Sequence, residues 1–275
     1  MFTTKTLKEW AAAMAVTGAK VRSIGRSAFG RDVIAAQCGS GKKKIIVTAA
    51  IHARENVTAS LVAEAALKYS GGAVVWFIPL VNPDGADLIS FGATAFGKNA
   101  DKLIAINGGN RDFSMWKANA RGVDLNVNFD AKFGEGRQNT TAAPAPENYV
   151  GEYPFSEPET RALRDFTLEV KPDLTISYHA KGRIVYWFFG QSGALRDRDR
   201  KIATAAAKTL GYSLGADSTD SAGGYKDWCV SALGIPALTI ETVSDEFSHP
   251  LPENAIGSDE KRRNFTLTNT IERFL

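Results

Sequence analysis

Histidine and cysteine are scarce in this chain, with three of the former and two of the latter among 275 residues. Two thiols, Cys38 and Cys229, have no metal-type spacing and cannot make a disulfide framework. Buried free thiols are the expectation, which suits a reducing compartment. Charge of one sign is also missing. A net charge of +3 is too small to imply nucleic acid, and the basic clusters at 42–44 and 196–201 read as solvated loop and helix faces. Long apolar runs are absent as well. Residues 73–81 and 184–189 fall short of the roughly 20 residues a membrane span requires. The first 18 residues show no secretory apolar segment, and Leu7, Trp10, Ala11 and Met14 repeat at helical spacing, so a cytoplasmic enzyme is expected. What remains is 44% hydrophobic and 23% charged, an ordinary globular composition, read as one α/β domain over residues 1–275.

Strand and helix patterns alternate along the chain. Strands are expected at 20–24, 32–38, 45–51, 73–81, 173–178, 184–189 and 237–240. Helical patterns cover 55–69, 194–210 and about 224–233, and a last one starts near Asp259. Ser156-Glu157-Pro158-Glu159 has the form of a capping box opening a helix to about Val170. Asn82-Pro-Asp-Gly85 is turn chemistry, and residues 86–155 carry little periodicity, which reads as the wall of a cleft. A strand, a helix and a strand over 45–81 imply a parallel crossover.

The most informative stretch is Lys44-Ile-Ile-Val-Thr-Ala-Ala-Ile-His-Ala-Arg-Glu55. A buried apolar run ends, and His52 and Glu55 follow three residues apart. In an open α/β sheet that edge is where ligands bind. An imidazole and a carboxylate at this spacing supply two of the three protein ligands of a catalytic zinc. The third must be remote, from His179 or His249. His179 ends a predicted strand, whereas His249, in Ser-His-Pro, reads as a loop residue. Glu241 ends another strand, after Ala-Leu-Thr-Ile, where a carboxylate can take a proton from water and pass it to a leaving amine.

With these residues in place the chain resembles the zinc carboxypeptidases of the A and B type from about residue 20 onward. The matching strings are His52-Ala-Arg-Glu55, Asn82-Pro-Asp-Gly85, Asn119-Ala-Arg-Gly-Val-Asp-Leu-Asn126, Ser177-Tyr-His179, Gly223-Gly-Tyr-Lys-Asp-Trp228 and Thr239-Ile-Glu241. The resemblance implies an α/β/α sandwich with a mixed, roughly eight-stranded sheet, one Zn²⁺ on His52, Glu55 and His179, and Glu241 as general base and acid. It also implies a cation for the oxyanion, with Arg121 and Lys117 both candidates, and a substrate-binding surface at Asn126, Tyr225 and Lys226.

Two departures from the family pattern bear on substrate. Asn126-Val127-Asn128 stands where the family has Asn-Arg-Asn, so the arginine that grips a free α-carboxylate is missing, and the tyrosine expected near Thr219 is absent too. Lys226 falls where the side chain after the scissile bond is read, and a cation there favours an acidic group. This profile is similar to the bacterial γ-D-glutamyl-L-diamino acid peptidases. It implies cleavage between D-glutamate and meso-diaminopimelate in peptidoglycan peptides by a monomeric or weakly associating enzyme. The alternatives are a carboxypeptidase with altered carboxylate recognition, an aspartoacylase-type deacylase, against which Val127 counts, and a binding protein that has lost the chemistry, although neither a ligand nor the base is lost.

Overall fold

The structure, a computed structural model, describes residues 1–139 and 141–275. Its strands are β1 (Lys20–Arg26), β2 (Asp32–Cys38), β3 (Lys44–Ala49), β4 (Val74–Ile78), β5 (Leu174–Ala180), β6 (Ile184–Tyr186), β7 (Ser213–Leu214) and β8 (Ala237–Thr242). They form one sheet in the order β1-β2-β4-β3-β5-β8-β6-β7. The centre is parallel, because β3 pairs with β4 and β5, and β5 pairs with β8. Antiparallel pairs β1–β2, β2–β4 and β6–β8 flank it.

The period of two within each strand sorts residues onto two faces. Ile45, Val47, Leu174, Ile176, Tyr178, Leu238 and Ile240 meet one apolar layer. It is closed by α1 (Thr4–Val16), α2 (Val57–Leu67), α6 (Gly193–Leu210) and α8 (Ser258–Thr270). Ile46, Trp76 and Ile78 meet the other layer, closed by α5 (Pro158–Val170) and α7 (Tyr225–Leu233). Phe77 on the first face and Phe129 on the second are fully buried, and each contributes roughly 1.5–3 kcal/mol by leaving water. A third cluster joins Leu88 of α3 (Pro83–Phe91) and Leu103 of α4 (Ala100–Ile106) to Ala53, Phe96 and Trp116. It supports the loops above the sheet. The mixed eight-stranded sheet between helices is the architecture expected from the sequence.

On the second face the C-terminal halves of β3, β5 and β8 carry polar residues where β4 carries apolar ones. Thr48 of β3 and Ser177 of β5 are hydrogen bonded at 3.0 Å, and Ser177 pairs in register with Thr239 of β8. One step further toward the C-terminal edge, His179 is the register partner of Glu241. The alternation therefore aims both at the same side of the same sheet edge.

Three local expectations need correction. Asn82-Pro-Asp-Gly85 starts a helix, α3, rather than a turn. Asn82 is its N-cap, accepting from Gly85 N at 2.9 Å, and Pro83 takes the first turn. The 86–155 region accordingly holds most of α3 and all of α4. Ser156 is not a helix cap. Glu157 occupies the N-cap position with no capping hydrogen bond, while Ser156 Oγ bonds Glu157 and accepts from Asn128 Nδ2 at 2.9 Å. Cys38 is only half-buried, although Cys229 is fully buried and both are free.

Candidate active site

His52 leaves β3 and enters a 3₁₀ turn, Ala53–Glu55, that brings Glu55 back beneath it. The turn is tied at both ends. Thr58 Oγ1 donates to Glu55 O at 2.8 Å and accepts from Ala50 N at 3.1 Å. Asn82 Nδ2 reaches Ile51 O at 3.2 Å and Ala118 O at 3.0 Å, so one amide joins this turn to the 116–124 loop. A Cβ on Gly85 would lie 2.7 Å from the Ala53 Cβ, which explains a glycine in the first turn of α3.

Glu55 Oε1 lies 2.8 Å from His52 Nδ1, Glu55 Oε2 lies 3.1 Å from His179 Nδ1, and the two Nδ1 atoms are 3.2 Å apart. Four-coordinate zinc with bonds near 2.0 Å sets its ligand atoms roughly 3.3 Å from one another. The observed separations are close to those edges. Two imidazole nitrogens and a carboxylate are also a donor set that zinc accepts. The residues therefore fit one zinc ion, and among the described residues they form the one such group of three. All three are buried. Burial opposes ionisation of Glu55, but His52 and His179 overcome it and hold the carboxyl well below the usual range.

Asp124 stands behind His52. Its Oδ1 is 3.3 Å from His52 Nε2, and its Oδ2 is 2.7 Å from Lys117 Nζ. Asp124 is fully buried, which alone would raise its pKa. Lys117 and His52 reverse that and keep it ionised far below the carboxylate range. Lys117 in turn is raised despite its burial, chiefly by Asp124. Its backbone carbonyl accepts from Ala53 N at 3.0 Å, which fixes the lysine against the metal turn.

Of the two cations expected near the developing oxyanion, the structure brings only Lys117 to the cavity. Arg121 is half-exposed and lies 3.8 Å from Glu157 on the outer side of the loop. The reason is local. Asn119 Oδ1 accepts from Arg121 N at 2.9 Å and Val123 N at 3.1 Å, and this tight turn carries Arg121 away from the metal ligands.

Glu241 lines the same cavity. Burial, with a further contribution from the charge of Glu55, pushes its carboxyl up to about 8, while His179 and Lys117 act against the rise. A carboxylate at a polar sheet edge with a raised proton affinity suits proton transfer near neutral pH.

The cavity measures about 370 Å³ and is lined by the metal ligands, Lys117, Glu241, Asn126, Lys226 and the 216–222 segment. Asn126 reaches it, and its Oδ1 accepts from Tyr225 N at 3.1 Å. Lys226 reaches it as well, but its ammonium is paired with Asp227. Tyr225 does not. Its ring packs on Phe129 at 5.4 Å, and its hydroxyl meets Thr167 Oγ1 at 2.7 Å in the core. At the start of α7 each residue turns about 100° from the last, so Tyr225 enters the apolar layer while Lys226 faces the cleft. His249 is not a third ligand and sits in the loop expected for it.

Two further acids pair with the charged groups of the cleft. For Asp124 the sequence holds one signal, an acid flanked by Val123 and Leu125 in an otherwise polar loop, which is a sign of a buried pair. Asp227, next to Lys226 in the string, gave no separate signal.

The family described as zinc carboxypeptidase matches residues 9–264. A γ-D-glutamyl-L-diamino acid endopeptidase 1 of Lysinibacillus sphaericus is 31% identical over 247 residues, covering 83% of this chain. The chain spans 61% of that relative's own length. Bovine thrombin-activatable fibrinolysis inhibitor, solved with a tick carboxypeptidase inhibitor, superposes with a TM-score of 0.76 at 21% identity, covering 99% of this chain and 96% of that one. The murein-tripeptide amidase of Escherichia coli O157 superposes at 0.59 with 22% identity, covering 90% and 91%. At these identities the two structures speak for the fold. No helix among the described residues is long and apolar enough to cross a membrane.

Proposed function

Because the chain belongs to the zinc carboxypeptidase family, we propose that it is a zinc metallopeptidase that hydrolyses the γ-D-glutamyl–meso-diaminopimelate amide of peptidoglycan-derived peptides. The observation that carries the hydrolytic part is the convergence of His52, Glu55 and His179 with Glu241 and Lys117 around one cavity. Zinc held by the three donors supplies Lewis acidity toward the amide carbonyl and toward water. Glu241 accepts the proton of the attacking water and delivers it to the departing nitrogen. Lys117 places a fixed positive charge where the oxyanion develops. Asp124 holds both Lys117 and the ring of His52, so the cation and the ligand share one anchor.

The substrate part is supported by what faces the departing residue. Val127 puts no cation beside Asn126, so a free α-carboxylate has no bidentate partner there. The Lysinibacillus sphaericus relative bears a name that specifies a γ-D-glutamyl-L-diamino acid bond. Two free thiols, one fully buried, suit work on muropeptides inside the cell. The test is mass spectrometry of products from a defined set of muropeptides and ordinary peptides, with chelator and with zinc restored. Release of diaminopimelate-containing fragments that stops with chelation is the expected result. Release of C-terminal residues from ordinary peptides alone would instead assign a carboxypeptidase with altered carboxylate recognition.

A further inference from the structure

The strands that carry His179 and Glu241 both run into turns that enter the left-handed region. β8 stops at Thr242, and Val243 follows with φ 65° and is fully buried. A β-branched residue is an outlier there and persists only where its surroundings over-determine it. β5 stops at Ala180, and its turn passes through Gly182 to Arg183, which has φ 50°. The two turns are joined. Gly182 N donates to Val243 O at 2.9 Å, and Thr242 Oγ1 donates to His179 O at 2.9 Å. A Cβ on Gly182 would lie 3.9 Å from the Glu241 Cβ, so the β5 turn packs against the root of the proposed base.

One carboxyl group grips both turns. Glu260, the third residue of α8, is buried. Its Oε1 accepts from Val243 N at 3.0 Å and from the Tyr212 hydroxyl. Its Oε2 accepts from Arg183 Nη2 at 3.0 Å. None of Glu260, Val243, Arg183 and Tyr212 lines the substrate cavity. We infer that Glu260 is a positioning residue. It holds Val243 in the left-handed region, and this fixes where Glu241 stands relative to His179. Without that grip Val243 relaxes toward negative φ, and the strand end two residues away turns with it. The effect falls on turnover rather than on substrate binding. The inference rests on the role given to Glu241 above and not on the choice of substrate.

The experiment measures kcat, KM and zinc content of the full chain on a peptide it cleaves, with urea unfolding in parallel. Glu260→Met removes the acceptor oxygens and keeps the volume. Its kcat should fall by about 10–10², the scale of a misplacement of about 1 Å, with KM within about threefold and zinc content unchanged. Glu260→Gln keeps an oxygen for the Val243 N–H and should recover most of that loss. A double variant adds Val243→Gly to Glu260→Met. Glycine adopts positive φ without steric penalty, while loss of the valine side chain leaves a cavity. The double variant should unfold at lower urea than Glu260→Met and yet turn over at least about threefold faster, a recovery that a role in folding alone would not produce. Arg183 is exposed, so Arg183→Ala supplies a variant that folds. It frees Oε2 and should lower kcat by about twofold to fivefold. A kcat equal to wild type in whichever of Glu260→Met and Arg183→Ala folds, or a double variant no faster than Glu260→Met, would overturn the inference. Glu241→Gln is measured beside them. Retained turnover there would remove the role of Glu241 and the inference with it. Turnover lost there, with Glu260→Met unaffected, would remove the inference alone.

Discussion

Two groups of buried carboxyls lie on either side of the 116–124 loop, and they are handled in opposite ways. On the cleft side, Glu55 sits between two imidazoles and Asp124 between a lysine and an imidazole, and both are held ionised despite burial. Behind the loop, Glu159 is fully buried with only N–H donors nearby, Ala28 N at 3.0 Å and Asn119 Nδ2 at 3.4 Å. Burial, with Asp84 and Glu157 adding like charge, pushes it up to about 8, so it is neutral through most of the physiological range. The contrast teaches that burial does not set the charge of an acid by itself. A compensating partner does: Glu55 and Asp124 each face one across the cleft, whereas Glu159 forms no ion pair among the described residues. Glu241, also pushed up to about 8, shares the cleft with Glu55 but resembles Glu159 in its balance of burial against charge.

The largest effect should come from neutralising the cleft. Glu241→Gln should lower kcat by about 10²–10⁴ with zinc stoichiometry unchanged, measured by steady-state kinetics and metal analysis. Retained turnover would take Glu241 out of the mechanism. In the wild type the acid limb of kcat/KM should follow this carboxyl, with activity rising with pH as Glu241 ionises. That limb should be missing from the residual activity of the Gln variant.

Next comes Lys117→Met, which removes the oxyanion cation and leaves Asp124 with a weaker partner. A loss of about 10²–10³ in kcat is expected, with partial recovery in Lys117→Arg. Activity equal to wild type in the Met variant would place the oxyanion cation elsewhere.

Behind the loop the readout is stability rather than rate. Glu159 has a folded pKa raised above its unfolded value of about 4.3. Its unionised form therefore supports the fold below that value, and the support is lost as pH rises toward 8. Glu159→Gln mimics the neutral acid. Its unfolding free energy relative to wild type, from urea titration, should climb between pH 5 and pH 8 by an amount on the order of a few kcal/mol. A difference independent of pH would mean that Glu159 is charged in the folded protein. The smallest effect is expected from Arg121→Ala. Its half-exposed pair with Glu157 at 3.8 Å should be worth at most about 1 kcal/mol in thermal or urea unfolding, with kcat unchanged.

The parts of the site legible in the sequence are those in which strand periodicity and a polar terminus coincide. β3, β5 and β8 are apolar runs that reach His52, His179 and Glu241, and the period of two sends the last two to one face. The rest depends on contacts that sequence spacing does not encode. Asn82-Pro-Asp-Gly85 has the composition of a turn, and it is a helix start here because Asn82 finds Ile51 O and Ala118 O across the fold. Lys117 and Arg121 are four residues apart in one loop, and only the Asn119 turn decides which faces inward. Ser156 has the form of a cap, but its hydroxyl is drawn to Glu157 and Asn128. Tyr225 and Lys226 are neighbours whose directions are set by where α7 begins.

Asn82 has one more consequence. Its single amide nitrogen bonds both the backbone before His52 and the backbone after Lys117, and Gly85 closes on Ala53 beside it. The metal turn and the lysine loop thus travel as one block. A bulky substrate cannot be admitted by parting them. Room must come from the opposite bank, residues 216–222, which is moored at its rim by Asp220 to Arg137. Evolution could therefore retune the length of the accepted fragment by editing that mooring while leaving the hydrolytic block untouched.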